Sequence, residues 1–388
     1  MNFDENVIRR NTNCYKWDVQ DDEETIPMWI ADMDFKTAPP IIEALQKRVE
    51  HGVFGYVKPP KEYFEAICQW FGTQHGWHVE PKEILYTSGV VPAISAIIKA
   101  LTMPSDKVLL TTPVYNCFYS SIRNNGCQVL TSSLRHDQKG RYTIDFEDFE
   151  RKCQDPQVKI HVLCNPHNPV SRVWTRDELS HIAKICKDND VFVISDEIHC
   201  EIMMPGFQYT PFGSLDEALK GNYAVCTSPS KAFNIAGLQN SNIICPCPKT
   251  RRKIDRAINI NEVCDVNPFG VIAVMTAYTD PRCKEWLDAL NNYIYNNYLT
   301  AKDLFTKHLP TATVTPQEGT YLMWVNFGSL IDNAHTTEHE LKENAKVWIN
   351  PGTLYGDDGE HFMRINLATQ RANVVKGVER ICKYFMRK

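Results

Sequence analysis

The sequence predicts an α/β protein with a large domain on a mostly parallel sheet and a smaller C-terminal α+β domain. Two observations carry this. Between Ile84 and Ile244 short apolar runs alternate with stretches of helical period, and beyond about Asp280 that alternation stops. Strands interleaved with amphipathic helices pack as parallel sheets, because each return crosses a sheet face through a helix. A chain of 388 residues also exceeds what one hydrophobic core usually serves. We expect residues 1–45 to be an N-terminal segment packed on the small domain, residues 46–279 the large domain and residues 280–388 the small one.

The expected strands follow in order: LYTS, KVLLTTP, QVLTSSL, KIHVLCNP, VFVISDE, YAVCTSPS and SNIICP. One unit reads closely. After KIHVLCNP, Thr175 and Glu178 have capping-box spacing, and Leu179, Ile182, Ala183 and Cys186 then recur on one helical face before VFVIS. That is a βαβ crossover. Past Asp280 come a polar, aromatic helix (KEWLDALNNYIYNNYLTAKDLF), two strands (GTYLMWVNF and HFMRINLA) and a terminal helix. The last carries Val374, Val375, Val378, Ile381, Cys382 and Phe385 on one stripe. The loose stretches are the polar N-terminal lead and Asp332 to Thr337.

Composition excludes several function classes. Hydrophobic residues at 43% and charged residues at 23% are those of a globular protein. A net charge of −5 with scattered Lys and Arg lacks the basic footprint of a nucleic-acid binder, so a small-molecule partner is expected. The polar N-terminus has no apolar signal region and no run is long enough to span a bilayer, which predicts a cytoplasmic protein without membrane contact. The 14 cysteines then read as free thiols, mostly small core hydrophobes. No C-x-x-C occurs, and no metal site is expected.

The chemically unusual positions lie just after expected strands, where open α/β sheets hold ligands. Ser88-Gly89-Val90 precedes a helical run (Val91, Ile94, Ile97, Ile98, Leu101), whose free N–H groups suit a phosphate; taken alone, Ser88 reads first as an N-cap and Gly89 as a tight turn. VFVIS ends in Asp196, with His199 three residues on; alone, such an acid also serves as a cap or salt-bridge partner. YAVCTS leads to Ser228-Pro229-Ser230-Lys231, a lysine flanked by hydroxyls and followed by apolar residues. In isolation a lysine is a solvated charge. Together these positions offer an amine for an aldehyde cofactor, donors for its phosphate and an acid for its ring nitrogen.

The chain resembles fold-type I pyridoxal 5′-phosphate (PLP) enzymes, in particular the aminotransferase-like C–S lyases of the MalY/PatB cystathionine β-lyase type. The resemblance runs nearly end to end through PMWIADMDF, FGYVKPP, TSGVVPAI, TPVYNCFYS, CNPHNPVSRVW, SDEIH, SPSKAFNIAGLQ, GTYLMWV, NPGTLYG and FMRINLAT. It implies the PLP-transferase fold, with Lys231 as the Schiff-base lysine and later the base, and Asp196 as partner of the pyridinium nitrogen. Tyr115 would stack on the ring, Asn168 would bond its phenolic oxygen and His199 would lie near that edge. Ser88, Gly89, Val90, Ser228 and Ser230 would hold the phosphate. Tyr56 matches a tyrosine that reaches the neighbouring subunit's phosphate, which implies a homodimer with shared active sites. Arg364 matches the arginine that forks onto the substrate carboxylate.

The implied reaction is β-elimination from a cysteine thioether, giving a thiol, pyruvate and ammonia. An aminotransferase shares the steps up to the carbanion, and a silent PLP fold that binds a protein partner would need a broken pocket. Two positions depart from the family pattern: Ser171 replaces a usual glycine, and Thr369-Gln370 replaces a more usual pair. Should the turn at Ser171 need positive φ, serine is strained there, which bears on the placement of Asn168.

The string His335-x-x-Glu338-His339 matches a metalloprotease motif that needs both histidines on one helical face. A capping box at Thr337 and Glu340 predicts a helix beginning at Thr337, with His335 outside it.

Overall fold

The computed structural model describes residues 1–20, 22–215, 219, 221–260 and 265–387. The seven expected runs are strands β1 (Ile84–Thr87), β2 (Lys107–Thr112), β3 (Gln128–Ser133), β4 (Val158–Cys164), β5 (Phe192–Asp196), β6 (Tyr223–Thr227) and β7 (Ser241–Ile244). They form one sheet in the order β1-β7-β6-β5-β4-β2-β3. Strand β7 runs antiparallel to both neighbours, and the other pairings are parallel. Cys164 lies opposite Asp196, which lies opposite Cys226, so the carboxyl ends of β4, β5 and β6 are level. That alignment makes the crevice.

The helix of the closely read crossover spans Arg176–Asp188, with the Thr175–Glu178 capping box formed on both sides. Leu179, Ile182, Ala183 and Cys186 are buried, as the 3.6-residue period requires. The helix after Gly89 spans Val90–Leu101 and buries Ile94, Ile97 and Ile98.

Beyond Asp280 a long helix (Pro281–His308) leads to a second sheet of β8 (Thr313–Val314), β9 (Leu322–Asn326), β10 (Asn350–Pro351) and β11 (Phe362–Asn366). Its order is β8-β9-β11-β10, antiparallel throughout. The terminal helix Arg371–Phe385 buries Val374, Val378, Ile381, Cys382 and Phe385 in one apolar cluster with this sheet. Ile26–Pro27 pairs in parallel with Val347–Trp348, and Met28 enters the same cluster. Phe3 instead meets Phe35 and Trp286 edge-on in the larger cluster.

The structure corrects one local expectation. The short helix holding the His-x-x-Glu-His string spans Ala334–Glu340, so it starts three residues before Thr337. Asn333 Oδ1 accepts the Thr336 N–H at 2.9 Å, and asparagine is a better N-cap than threonine, so the earlier start wins. His335 and His339 therefore share a helix, and the loose stretch from Asp332 is ordered by this cap. His335 is exposed, 3.8 Å from Glu338. Among the described residues no group of three or more metal-ligating side chains converges. Among them, too, no helix is long and apolar enough to cross a membrane.

Candidate active site

A cavity of about 190 Å³ opens beyond the carboxyl ends of β4, β5 and β6. Nine of the twelve residues singled out from the sequence line it: Ser88, Gly89, Val90, Tyr115, Asn168, Asp196, His199, Ser230 and Lys231. Each stands where a strand stops, and the level strand ends bring positions far apart in sequence to one rim. Gly89 is the N-cap of Val90–Leu101 and supplies no side-chain cap, which leaves the first N–H groups of that helix for an anion.

Asp196 terminates β5 with its carboxylate buried, accepting one hydrogen bond from the Ile198 N–H at 3.1 Å. Burial pushes its carboxyl up to about 7, with Glu197 adding to the rise and the Ile198 amide and Lys231 opposing it. A carboxylate so placed gains from a cationic partner. Lys231 reaches the cavity from the loop after β6, and its Nζ donates to the Ala31 carbonyl at 2.6 Å. Burial lowers its amine below the usual range, Arg364 adds to that, and Asp32 and Asp196 oppose it. A lysine of lowered basicity can serve as nucleophile and proton acceptor. His199 is held down to about 3 by burial and by the Lys231 and Arg364 cations, so its ring is neutral at pH 7. Its Nδ1 is buried without a partner within the protein.

Arg364, on β11, reaches the site from the second sheet. Its NH1 donates to Asn168 Oδ1 at 3.2 Å and its NH2 to the Trp29 carbonyl at 2.8 Å, while Nε is buried and unpaired. Its guanidinium lies 4.8 Å from the Tyr355 ring. An arginine held on one side with a free N–H can receive a carboxylate.

Besides Arg364, which approaches the cavity through Asn168 without lining it, two of the expected residues stand apart. Ser228 is buried outside the lining; its hydroxyl donates to the Asn240 carbonyl at 2.6 Å and accepts the Ser230 N–H at 3.1 Å. Tyr56 is 93% exposed on the loop before Lys61 and does not line the cavity of its own chain. Ser171 does adopt positive φ, at 57°. Its hydroxyl donates to the Leu322 carbonyl at 2.6 Å and meets Thr320 Oγ1 at 3.1 Å, bonds that glycine could not make. The strain is offset, and Asn168 keeps its place in the lining.

Sequence reasoning missed the part played by main-chain carbonyls. The Ala31 carbonyl accepts from both Lys231 and the Tyr321 hydroxyl, and the Trp29 carbonyl from Arg364. PMWIADMDF was visible as a motif, but a carbonyl leaves no mark in residue identity. Cys164 and Asn240 also line the cavity. Their proximity follows from strand pairing.

The class I and II aminotransferase family matches residues 24–381. The chain is 39% identical to cystathionine β-lyase PatB of Bacillus subtilis (strain 168), over 98% of this chain and 99% of that protein. It is 33% identical to protein MalY of Escherichia coli (strain K12), over 97% of each. The crystal structure of cystalysin from Treponema denticola, which contains a pyridoxal 5′-phosphate cofactor, superposes with a TM-score of 0.96 at 34% identity, covering 100% of this chain and 99% of that one.

Proposed function

The chain belongs to the class I and II aminotransferase family, and from that premise we propose that it is a PLP-dependent C–S β-lyase acting on cystathionine or a related cysteine S-conjugate. The reaction consumes one water and yields a thiol, pyruvate and ammonia. The observation that carries this reading is the cavity that joins the Lys231 amine to the buried, cation-seeking carboxylate of Asp196, with Arg364 anchored beside it through Asn168. The names of PatB and cystalysin's bound cofactor point the same way.

The donor set fits the cofactor. Lys231 would hold it covalently, and Asp196 would pair with its ring N–H. The open helix end at Ser88, Gly89 and Val90, together with Ser230, would receive the phosphate, with Ser228 acting through the Ser230 N–H it holds. Tyr115 would stack on the ring, while Asn168 and the neutral, unpaired His199 would face its oxygen edge. PLP, when bound, supplies an aldehyde for amines and a pyridinium ring that accepts the electrons of the broken Cα–H bond.

The chain's own groups do the rest. Arg364 receives the substrate carboxylate with N–H groups that its bonds to Asn168 and Trp29 leave free and so orients Cα towards Lys231. Lys231, its basicity lowered by burial, takes the Cα proton at Nζ once the substrate has displaced it. Asp196 stays anionic as long as a ring N–H⁺ sits against it, which keeps that proton in place.

A homodimer with a shared site completes the reading. In support, Tyr56 and its neighbours Val53 and Phe54 are more than half exposed, an apolar surface that a second copy would cover, with the Tyr56 hydroxyl as the donor for that copy's phosphate site. The described cysteines are free thiols, which suits the cytoplasm.

The test is to incubate the protein with PLP and cystathionine, without any keto acid, and follow pyruvate and thiol. Equal appearance of both supports β-elimination. Amino transfer to an added keto acid without pyruvate release would overturn the lyase reading in favour of an aminotransferase.

A further inference from the structure

An ion cluster at the N-terminus lies outside the roles assigned above. Lys16 and Asp34, 0% and 2% exposed, pair at 2.9 Å; Arg9 NH1 meets the other oxygen of Asp34 at 2.7 Å, and Trp17 Nε1 donates to the same oxygen at 2.9 Å. Arg9 NH2 also pairs with Asp32 at 2.7 Å. Burial raises the cost of the Asp34 charge, yet Lys16, Trp17 and Arg9 together hold its carboxyl below the usual range. A buried pair of this kind contributes little net stability compared with an apolar replacement, so stability alone is a weak account of it.

What the cluster clamps is more informative. Residues 29–35 form a strap whose carbonyls are taken by side chains from both halves of the site. On one side, Lys231 donates to the Ala31 carbonyl at 2.6 Å, and Asn234 Nδ2 donates to the carbonyls of Met33 and Phe35 at 3.0 and 2.8 Å. On the other, Arg364 donates to the Trp29 carbonyl at 2.8 Å, and Asn366 Nδ2 donates to the carbonyls of Ile30 and Asp32 at 2.6 Å each. Lys231 and Asn234 sit on the loop after β6, whereas Arg364 and Asn366 sit on β11 of the other sheet.

We propose that Arg9, Lys16 and Asp34 are positioning residues: their ion cluster fixes the strap at residues 29–35, and the strap, held by Asn234 on one side and by Arg364 and Asn366 on the other, sets the distance between the loop that carries Lys231 and the strand that carries Arg364. Those bonds tie the strap to the site alone, whereas the Asp34 carboxylate ties its end to Arg9 and Lys16 of the N-terminal lead. Gln370, one of the two departures from the family pattern, donates to the Asp34 carbonyl at 2.9 Å and fastens the same point to the start of the terminal helix. The proposal rests on the proposed roles of Lys231 and Arg364.

The experiment uses PLP-loaded Lys16→Met and Arg9→Met. Arg9 is partly exposed, so the second variant serves if the first fails to fold. Three readouts are taken: amide hydrogen exchange over residues 28–35, the affinity for L-alanine from the cofactor's absorbance, and KM against kcat for cystathionine. The expected result is exchange about tenfold faster in that segment, and L-alanine affinity and KM each weakened about fivefold at unchanged cofactor occupancy. A merely structural role would lower the melting temperature and leave KM and L-alanine affinity alone. Wild-type exchange and affinity in both variants would overturn the proposal. Wild-type protein that releases no pyruvate would instead defeat the lyase reading, while exchange over the strap still judges this one.

Discussion

Arg364 and Asn168 join the two sheets of the molecule: the guanidinium NH1 on β11 donates to the amide oxygen just after β4 at 3.2 Å. The same arginine reaches the Trp29 carbonyl through NH2 and keeps Nε unpaired. A lysine ammonium cannot serve Asn168, Trp29 and a substrate carboxylate at fixed angles. Arg364→Lys should therefore lower kcat/KM for cystathionine roughly 100-fold, chiefly through KM. Steady-state kinetics check this, and a KM close to wild type would mean that another residue holds the carboxylate.

Asp196 makes the cofactor-free protein lose stability as pH rises from about 4 to 7. Its folded carboxyl is raised to about 7 by burial, above its unfolded value, so its contribution to stability is present below about pH 4 and lost as pH rises through about 7. In cofactor-free protein, Asp196→Asn should match wild type near pH 4 and be more stable at pH 8, by on the order of 4 kcal/mol at most. Urea unfolding at the two pH values decides it. With PLP bound the order should reverse and turnover should fall severely, because the amide cannot neutralise a ring N–H⁺.

Acid should destabilise the protein through buried imidazoles. His161 is wholly buried, bonded by Nδ1 to the Leu109 carbonyl at 3.1 Å, with Nε2 unpaired. Burial lowers its pKa to about 4. A depressed folded pKa gives stability that is present above the unfolded value near 6.5 and lost as pH falls towards 4. His161 should account for about 2 kcal/mol of the loss between pH 7 and 5. His161→Phe, which keeps a ring against Phe149, should remove that share from the difference in unfolding free energy. An unchanged difference would assign the acid sensitivity to other groups, such as His199 and His167, whose pKa values burial also lowers, to about 3 and about 4.

Ser171→Gly tests the balance of strain and bonding at φ 57°. Glycine relieves about 1 kcal/mol of left-handed strain. It also leaves the buried Leu322 carbonyl without the serine hydroxyl that meets it at 2.6 Å, a loss of about 1 to 3 kcal/mol. The net expectation is destabilisation by about 1 kcal/mol. A melting temperature above wild type would show that strain dominates.

The sequence by itself determined the alternation of strands and helices, the parallel core of the sheet and the cluster of unusual residues at strand ends. These are written in periodicity and in side-chain identity: β5 ends in Asp196, and Lys231 follows β6, because hydrophobic runs stop there. Local competition was harder to read, since Asn333 outcompeted Thr337 as a cap and both residues were available. What only the tertiary structure decided concerns groups without a sequence signature. The carbonyls of Trp29 and Ala31 became partners of Arg364 and Lys231 because the N-terminal strap threads between two sheets. The raised pKa of Asp196 comes from the neighbours that bury it. Periodicity fixes which face of an element is apolar, whereas the environment of a charge depends on everything packed around it.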